Sequence, residues 1–116
     1  MRKYYCENLN EYLYMNVDNL TEIEGDHLII PEWLRVDVHN DIQVSEEIEK
    51  AINEEPGEHY YWANLYYATF EKEYTIIKST FFDEGDKRYC SIPTKLLLEI
   101  VRFWFDELKN NKTKTL

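Results

Sequence analysis

The clearest pattern in the chain lies near its end. After Pro93-Thr94, the residues Leu97, Ile100, Val101, Trp104, Phe105 and Leu108 recur on one side of a 3.6-residue cycle, and Lys95, Glu99, Arg102, Asp106 and Lys109 take the other. The spacing predicts an amphipathic helix, with Glu99–Arg102 and Arg102–Asp106 at ion-pair spacing along its wet side. Leu96, Leu98 and Phe103 widen the apolar stripe beyond what a surface helix needs. The helix is therefore expected to lie across a sheet and supply most of the core. Residues 110–116 are polar and expected to fray.

Upstream, the period changes from 3.6 to 2. Tyr60–Phe70 and Tyr74–Phe82 read as two long strands joined at Glu71-Lys72-Glu73, a loop that sets position 70 against 74 and 68 against 76. One face then carries Ala63, Leu65, Tyr67, Ile77 and Phe81 and looks like core. The other carries Tyr60, Trp62, Asn64, Tyr66, Lys78 and Thr80, aromatic but broken by polar residues, as a partner-facing surface would be. A slip of one residue would exchange the partners across the ladder. Asp83-Glu84-Gly85-Asp86 makes the next turn, and Arg88–Ile92 a third antiparallel strand.

The first third holds shorter signals. Residues 10–17 are rich in β-formers and stop at Asp18-Asn19, and His27–Ile30 is a short apolar run closed by Pro31. Trp33–Val38 alternates, Leu34, Val36 and Val38 against Arg35 and Asp37, which is the period of a half-buried strand. Ser45 reads as a helix cap followed by Glu46 and Glu47 at the positive end of the dipole. Ile48, Ala51 and Ile52 form a thin apolar stripe, and Pro56-Gly57 stops the helix. The expected architecture is one α+β domain over residues 1–109: an antiparallel meander, a C-terminal helix packed across it, and a short acidic surface helix.

Composition narrows the function. A 44% hydrophobic and 16% aromatic content in 116 residues argues against disorder and suits one domain with a real core. The formal charge is −10, and it is concentrated: residues 7–58 hold fifteen acids against two bases, Arg35 and Lys50. Such a half repels nucleic acid and anionic membranes and attracts a basic protein surface. Solubility alone is the other reading of the same charge. Cys6 and Cys90 are too few for a disulfide framework, and Cys90 shares an alternating face with Ile92, as a buried unpaired thiol would. Glu7, Asn8, Asn10 and Glu11 interrupt any signal-peptide core, and no window reaches the ~18 apolar residues of a membrane span, so a cytoplasmic location is expected.

Signals for chemistry are sparse. The three glycines all sit in turns, which leaves no phosphate-cradling loop, and Ser45, Ser79 and Ser91 lack a nucleophile-elbow context. In an extended strand Asp37, His39 and Asp41 would share a face and offer two carboxylates and an imidazole to a divalent metal, the set of a small metal-dependent hydrolase; the simpler account is a solvated strand edge running into a loop. The neighbouring carboxylates Glu46/Glu47 and Glu54/Glu55 diverge on a helix and share no proton. The reading is non-catalytic and cofactor-free. Its expected contact residues are Asp37, Asp41, Glu46, Glu47, Glu54, Glu55, Glu58, Tyr60, Trp62 and Tyr66, facing a basic protein, with the molecule itself a monomer or a homodimer.

A short acidic domain with a Tyr/Trp-rich meander over Tyr60–Phe82, ending in Cys-Ser-Ile-Pro-Thr-Lys-Leu-Leu-Leu-Glu-Ile-Val (90–101) and Trp104, resembles the small immunity proteins of bacterial polymorphic and contact-dependent toxin systems. The resemblance covers about a quarter of the chain and carries over no individual site residue. It implies a one-to-one inhibitor that occludes the basic surface of a toxin, often a nuclease. A scaffold protein of a mobile element or of housekeeping function, acidic only for solubility, is the remaining expectation.

Overall fold

The structure is a computed structural model that describes residues 2–4, 15–17, 23–26 and 28–114, with side chains placed for 23–26 and 28–109. Its core element is a five-stranded antiparallel sheet of order β3-β7-β6-β5-β4. The strands are β3 (Glu24–Gly25), β4 (His59–Trp62), β5 (Tyr66–Phe70), β6 (Tyr74–Ser79) and β7 (Tyr89–Pro93). A separate two-stranded ribbon pairs β1 (Arg2–Tyr4) with β2 (Met15–Val17). The rest of the expected 10–17 strand lies outside the described residues, as do Cys6 and His27. The fold is α+β, as the change of period along the chain implies.

The C-terminal helix α3 (Thr94–Lys114) packs on β6 and β7 and also meets β2. Leu97, Leu98, Ile100, Val101 and Trp104 are buried, so the stripe read from the sequence is the stripe that packs. Its entry is anchored by Thr94. The buried Thr94 hydroxyl donates to the Glu71 carbonyl at 2.5 Å and lies 2.9 Å from the Thr75 hydroxyl. Its amide donates to the Glu73 carbonyl. The Ile-Pro-Thr step thus ties the helix start to the β5–β6 hairpin. Arg102 pairs across to Glu49 at 2.5 Å rather than along its own helix.

Three expectations need correction. Trp33–Val38 is not a strand. The chain is helical from α1 (Ile29–Glu32) straight into a π-helical segment, Trp33–Val38, whose i→i−5 geometry is visible where the His39 amide reaches the Leu34 carbonyl at 2.7 Å. Besides Pro31, the buried residues are Ile29, Ile30, Trp33, Leu34, Asp37 and Val38, pairs repeating every four positions. Joining 3.6-residue turns to wider π turns holds such a repeat on one face, and the Leu34/Val36/Val38 alternation was its shadow. Pro31 falls in the first turn, where its missing N–H would have had no intrahelical partner.

Ser45 is not a cap either. Helix α2 spans Gln43–Ile52, and the Ser45 hydroxyl donates back to the Ile42 carbonyl at 2.7 Å. The exposed N–H of Gln43 is taken by Asp41 Oδ1 at 3.1 Å. Val44, Ile48 and Ala51 are the buried stripe.

The third correction concerns the sheet. Residues 60–70 form two strands, β4 and β5, with a tight turn over 63–65 between them. The β5–β6 ladder pairs Phe70 with Thr75 and Ala68 with Ile77, one residue away from the expected register. The Glu71 amide donates to the Tyr74 carbonyl, so only Lys72 and Glu73 lie in the turn. Because the chain reverses at 63–65, the inward-pointing parity changes between β4 and β5. Tyr61 points inward from β4, and Tyr66, Ala68 and Phe70 point inward from β5.

Candidate protein-binding face

All three helices lie on one side of the sheet. On the other side, cross-strand pairing sets Tyr60 and Trp62 of β4 beside Thr69 and Tyr67 of β5, then Ile76 and Lys78 of β6, then Ser91 and Tyr89 of β7. Trp62 is 67% exposed, Tyr60 and Ile76 each 49%, and Tyr74 and Tyr89 are also exposed. These rings cover one another in part. Tyr60 stacks on Tyr67 with centroids 5.9 Å apart and planes 16° apart, and Trp62 meets Tyr67 edge-on at 5.9 Å. Large apolar patches that stay open to water are the usual mark of an interaction surface.

The two ends of this face differ in their charged residues. At the β4 end a recess of about 290 Å³ is lined by Gly57, Glu58, Tyr60, Tyr67, Thr69 and Glu71. At the other end a smaller one, about 130 Å³, is lined by Trp62, Tyr67, Lys78, Thr80, Phe82 and Asp83. There Lys87 and Lys78 sit over the Phe82 ring at 4.5 and 5.3 Å, within cation–π range.

The residues expected to act together are divided by the fold. Tyr60, Trp62 and Glu58 meet on the open face. Tyr66 does not. It is 1% exposed, on the covered face, and its hydroxyl donates to Glu32 while the Arg88 guanidinium approaches it at 3.5 Å. Burial first, then the Glu32 contact, raises the Tyr66 phenol well above its ordinary range. Arg88 also pairs with Asp86 at 2.8 Å. That hydrogen bond is the main reason the Asp86 carboxyl is held well below the usual carboxylate range, with the Arg88 amide and the Ser79 hydroxyl adding to it.

Asp37 is buried and structural. Its carboxylate accepts the Leu65 amide at 3.0 Å and the Tyr66 amide at 2.8 Å, which fixes the β4–β5 turn against the π-helical segment. Asp41 is engaged by the Gln43 amide and lies 3.1 Å from the Tyr61 hydroxyl, which is also 3.0 Å from the Asp37 carbonyl. Burial and then Asp41 push the Tyr61 phenol up to about 12. Asp37, His39 and Asp41 therefore do not form a metal face, since the strand that would have aligned them is a helix end. His39 sits at positive φ (48°) beyond the π segment, and its carbonyl accepts the Trp104 indole N–H at 2.6 Å. Among the described residues no group of three His, Cys, Asp or Glu is placed to hold a metal ion.

The α2 acids lie behind the sheet. Glu47 pairs with Lys50 at 3.3 Å and stands 3.4 Å from His59, and the other His59 ring nitrogen meets the Glu55 carbonyl at 2.8 Å. Glu54 pairs with Lys72 at 3.5 Å. Glu46, on α2, and Glu55, in the loop after it, are exposed and unpaired by any cation among the described residues. Cys90 is buried and unpaired, and burial, with Asp26 adding, lifts its thiol to about 12.

Sequence reasoning missed Tyr67, Ile76, Tyr89 and Glu71. The first was assigned to the core by carrying one parity through the 63–65 turn. Asn64 was the available signal, a turn former in the middle of an apparent strand. The class these features define is an α+β domain with one sheet face open. Compared with family models, with curated proteins and with solved structures, the chain matches none. No helix among the described residues is long and apolar enough to cross a membrane.

Proposed function

We propose that this chain is a protein-binding module of the immunity type, which occludes a basic surface of a toxin through the open face of its sheet. The observation that carries this reading is the uncovered aromatic row Tyr60–Tyr67–Trp62, mounted on rigid strands and bordered at one end by Glu58 and Glu71. Tyr and Trp suit such a role because they bring large contact area with few rotatable bonds, together with a polar tip. The overall charge of −10 would speed the encounter with a basic partner, and the rings would slow its release.

The contact set changes with the fold. Tyr60, Trp62 and Tyr67 form its centre, and Glu58 and Glu71 its acidic margin; Asp37, Asp41 and Tyr66 serve the interior instead. The test is co-expression with the product of the adjoining gene. Support would be a one-to-one complex that abolishes the toxicity of that product and weakens about 30-fold or more on Trp62→Ala, as a hot-spot aromatic does. No complex and no protection would overturn the reading.

A further inference from the structure

We infer that the recess between β4 and β5 receives the guanidinium group of an arginine side chain presented by a protein partner. This rests on the protein-binding reading and names the chemistry of its anchor. The recess has a volume of about 290 Å³, and its lining brings aromatic rings and carboxylates together. Tyr60 and Tyr67 provide stacked, nearly parallel rings, 16° apart in plane, so a flat cation can extend the stack. Glu58 and Glu71 line the same space and supply negative charge to its rim.

The surrounding charge is one-sided. The loop 54–58 and the turn 71–73 that frame the recess hold five carboxylates against a single cation, Lys72. Lys72 is already turned to Glu54 at 3.5 Å. The recess is thus short of positive charge. His59 also lines the recess, and its two ring nitrogens face the Glu47 carboxylate at 3.4 Å and the Glu55 carbonyl at 2.8 Å. A guanidinium fits better than an ammonium on physical grounds: it is planar, weakly hydrated, and able to stack on a ring while donating sideways to carboxylates. The opposite end of the face, where Lys78 and Lys87 cover Phe82, is closed to cations by the same argument.

The experiment needs no partner. N-acetyl-arginine amide is titrated into the isotope-labelled full chain, with N-acetyl-citrulline amide, its neutral isostere, as the control. The expected result is saturable movement of the Gly57 and Thr69 amides and of the Tyr60 and Tyr67 ring protons with arginine only. In the Glu58→Gln/Glu71→Gln double variant binding should weaken roughly fivefold, the scale of two exposed ion pairs. Both side chains are exposed, so the melting temperature should not change. Equal shifts with citrulline, no saturation in the wild type, or unchanged affinity in the double variant would each overturn the assignment. Arginine binding in a chain that never engages a toxin would leave the recess standing and remove the module reading. Partner binding indifferent to the double variant would do the reverse.

Discussion

The same strands build two unlike surfaces. Toward the helices the sheet presents Tyr66, Ala68, Phe70, Thr75, Ile77, Ser79, Cys90 and Ile92, all buried, and the hydroxyls of Tyr66, Thr75 and Ser79 are each hydrogen-bonded. Away from them it presents Tyr60, Trp62, Tyr67, Tyr74, Ile76 and Tyr89, exposed or half-buried, and among the described residues the ring contacts on this side are Tyr60 and Trp62 against Tyr67. Hydrophobicity alone does not separate the two. What separates them is cover: the inner residues exchange water for helix side chains, the outer ones only for neighbouring rings. Removing inner groups should therefore damage the fold, and removing outer groups should damage only what the face does.

The largest break in that comparison is Trp33→Ala. Trp33 is fully buried and meets Tyr61 and Phe70 edge-on at 6.5 Å in each case. Its loss should cost about 3–5 kcal/mol, the usual range for an aromatic cut to alanine in a core. Urea denaturation gives the value, and a cost near zero would mean that the helical layer is not what closes the inner face.

Asp37→Ala comes next. It strips the acceptors from two backbone N–H groups, those of Leu65 and Tyr66; the buried Tyr66 orphan costs about 1–3 kcal/mol and the half-buried Leu65 orphan less. Asp37→Asn keeps one side-chain oxygen and should lose roughly half as much. Amide exchange sharpens the test, because the Leu65 and Tyr66 amides should lose protection before the rest of β5 does.

How much of this was legible follows from which signals are local. The stripe of α3 was readable because eleven positions of consistent 3.6-period pattern leave little choice, and the helix packs as written. The hairpin register and the identity of the outer face were not. Both depend on where a turn begins, and one residue at Asn64 or Glu71 reverses a whole face. Trp33–Val38 misled for another reason: a four-residue repeat sampled over six positions also satisfies alternation. The Asp37-His39-Asp41 constellation fell with it. The Ile92-Pro93-Thr94 entry has a purely structural use here, holding α3 against the hairpin through the Thr94 hydroxyl.

Alkaline titration probes the inner face without mutation. Tyr61 and Cys90 have folded pKa values raised to about 12, above their ordinary 10.0 and 9.0. A raised value means that the unfolded chain gives up these protons first. The associated stability is complete below pH 9 and is lost as pH climbs from 9 toward 12. Tyr66, raised further by burial and Glu32, acts in the same direction. Thermal melts across that range should show the loss, and Cys90→Ala should flatten its lower part. A melt unchanged from pH 8 to 11 would say that Cys90 and Tyr61 are not held inside as described.

A smaller effect belongs to the contact between helices. Glu49→Gln removes the partner of Arg102, an exposed pair on the rim of the α2–α3 packing. It should cost about 0.2–1 kcal/mol and less at high salt.

The most informative change is one expected to leave stability almost untouched. Trp62→Ala removes the largest exposed ring of the outer face, a side chain with two-thirds of its surface already in water. What it gives up in the isolated chain is its edge-on contact with Tyr67, a pair interaction of about 0.5–1.5 kcal/mol at most, offset by the apolar area it no longer exposes. The change in unfolding free energy should therefore stay below about 1 kcal/mol, in the range of ordinary surface substitutions. Set beside Trp33→Ala, that gives two tryptophans of one domain whose loss differs several-fold in cost. A Trp62→Ala cost matching that of Trp33→Ala would mean the outer rings are a second core, and the face would lose its claim to be a docking surface. A near-neutral result, with complex formation lost in the same variant, would leave contact with a partner as what the ring is for.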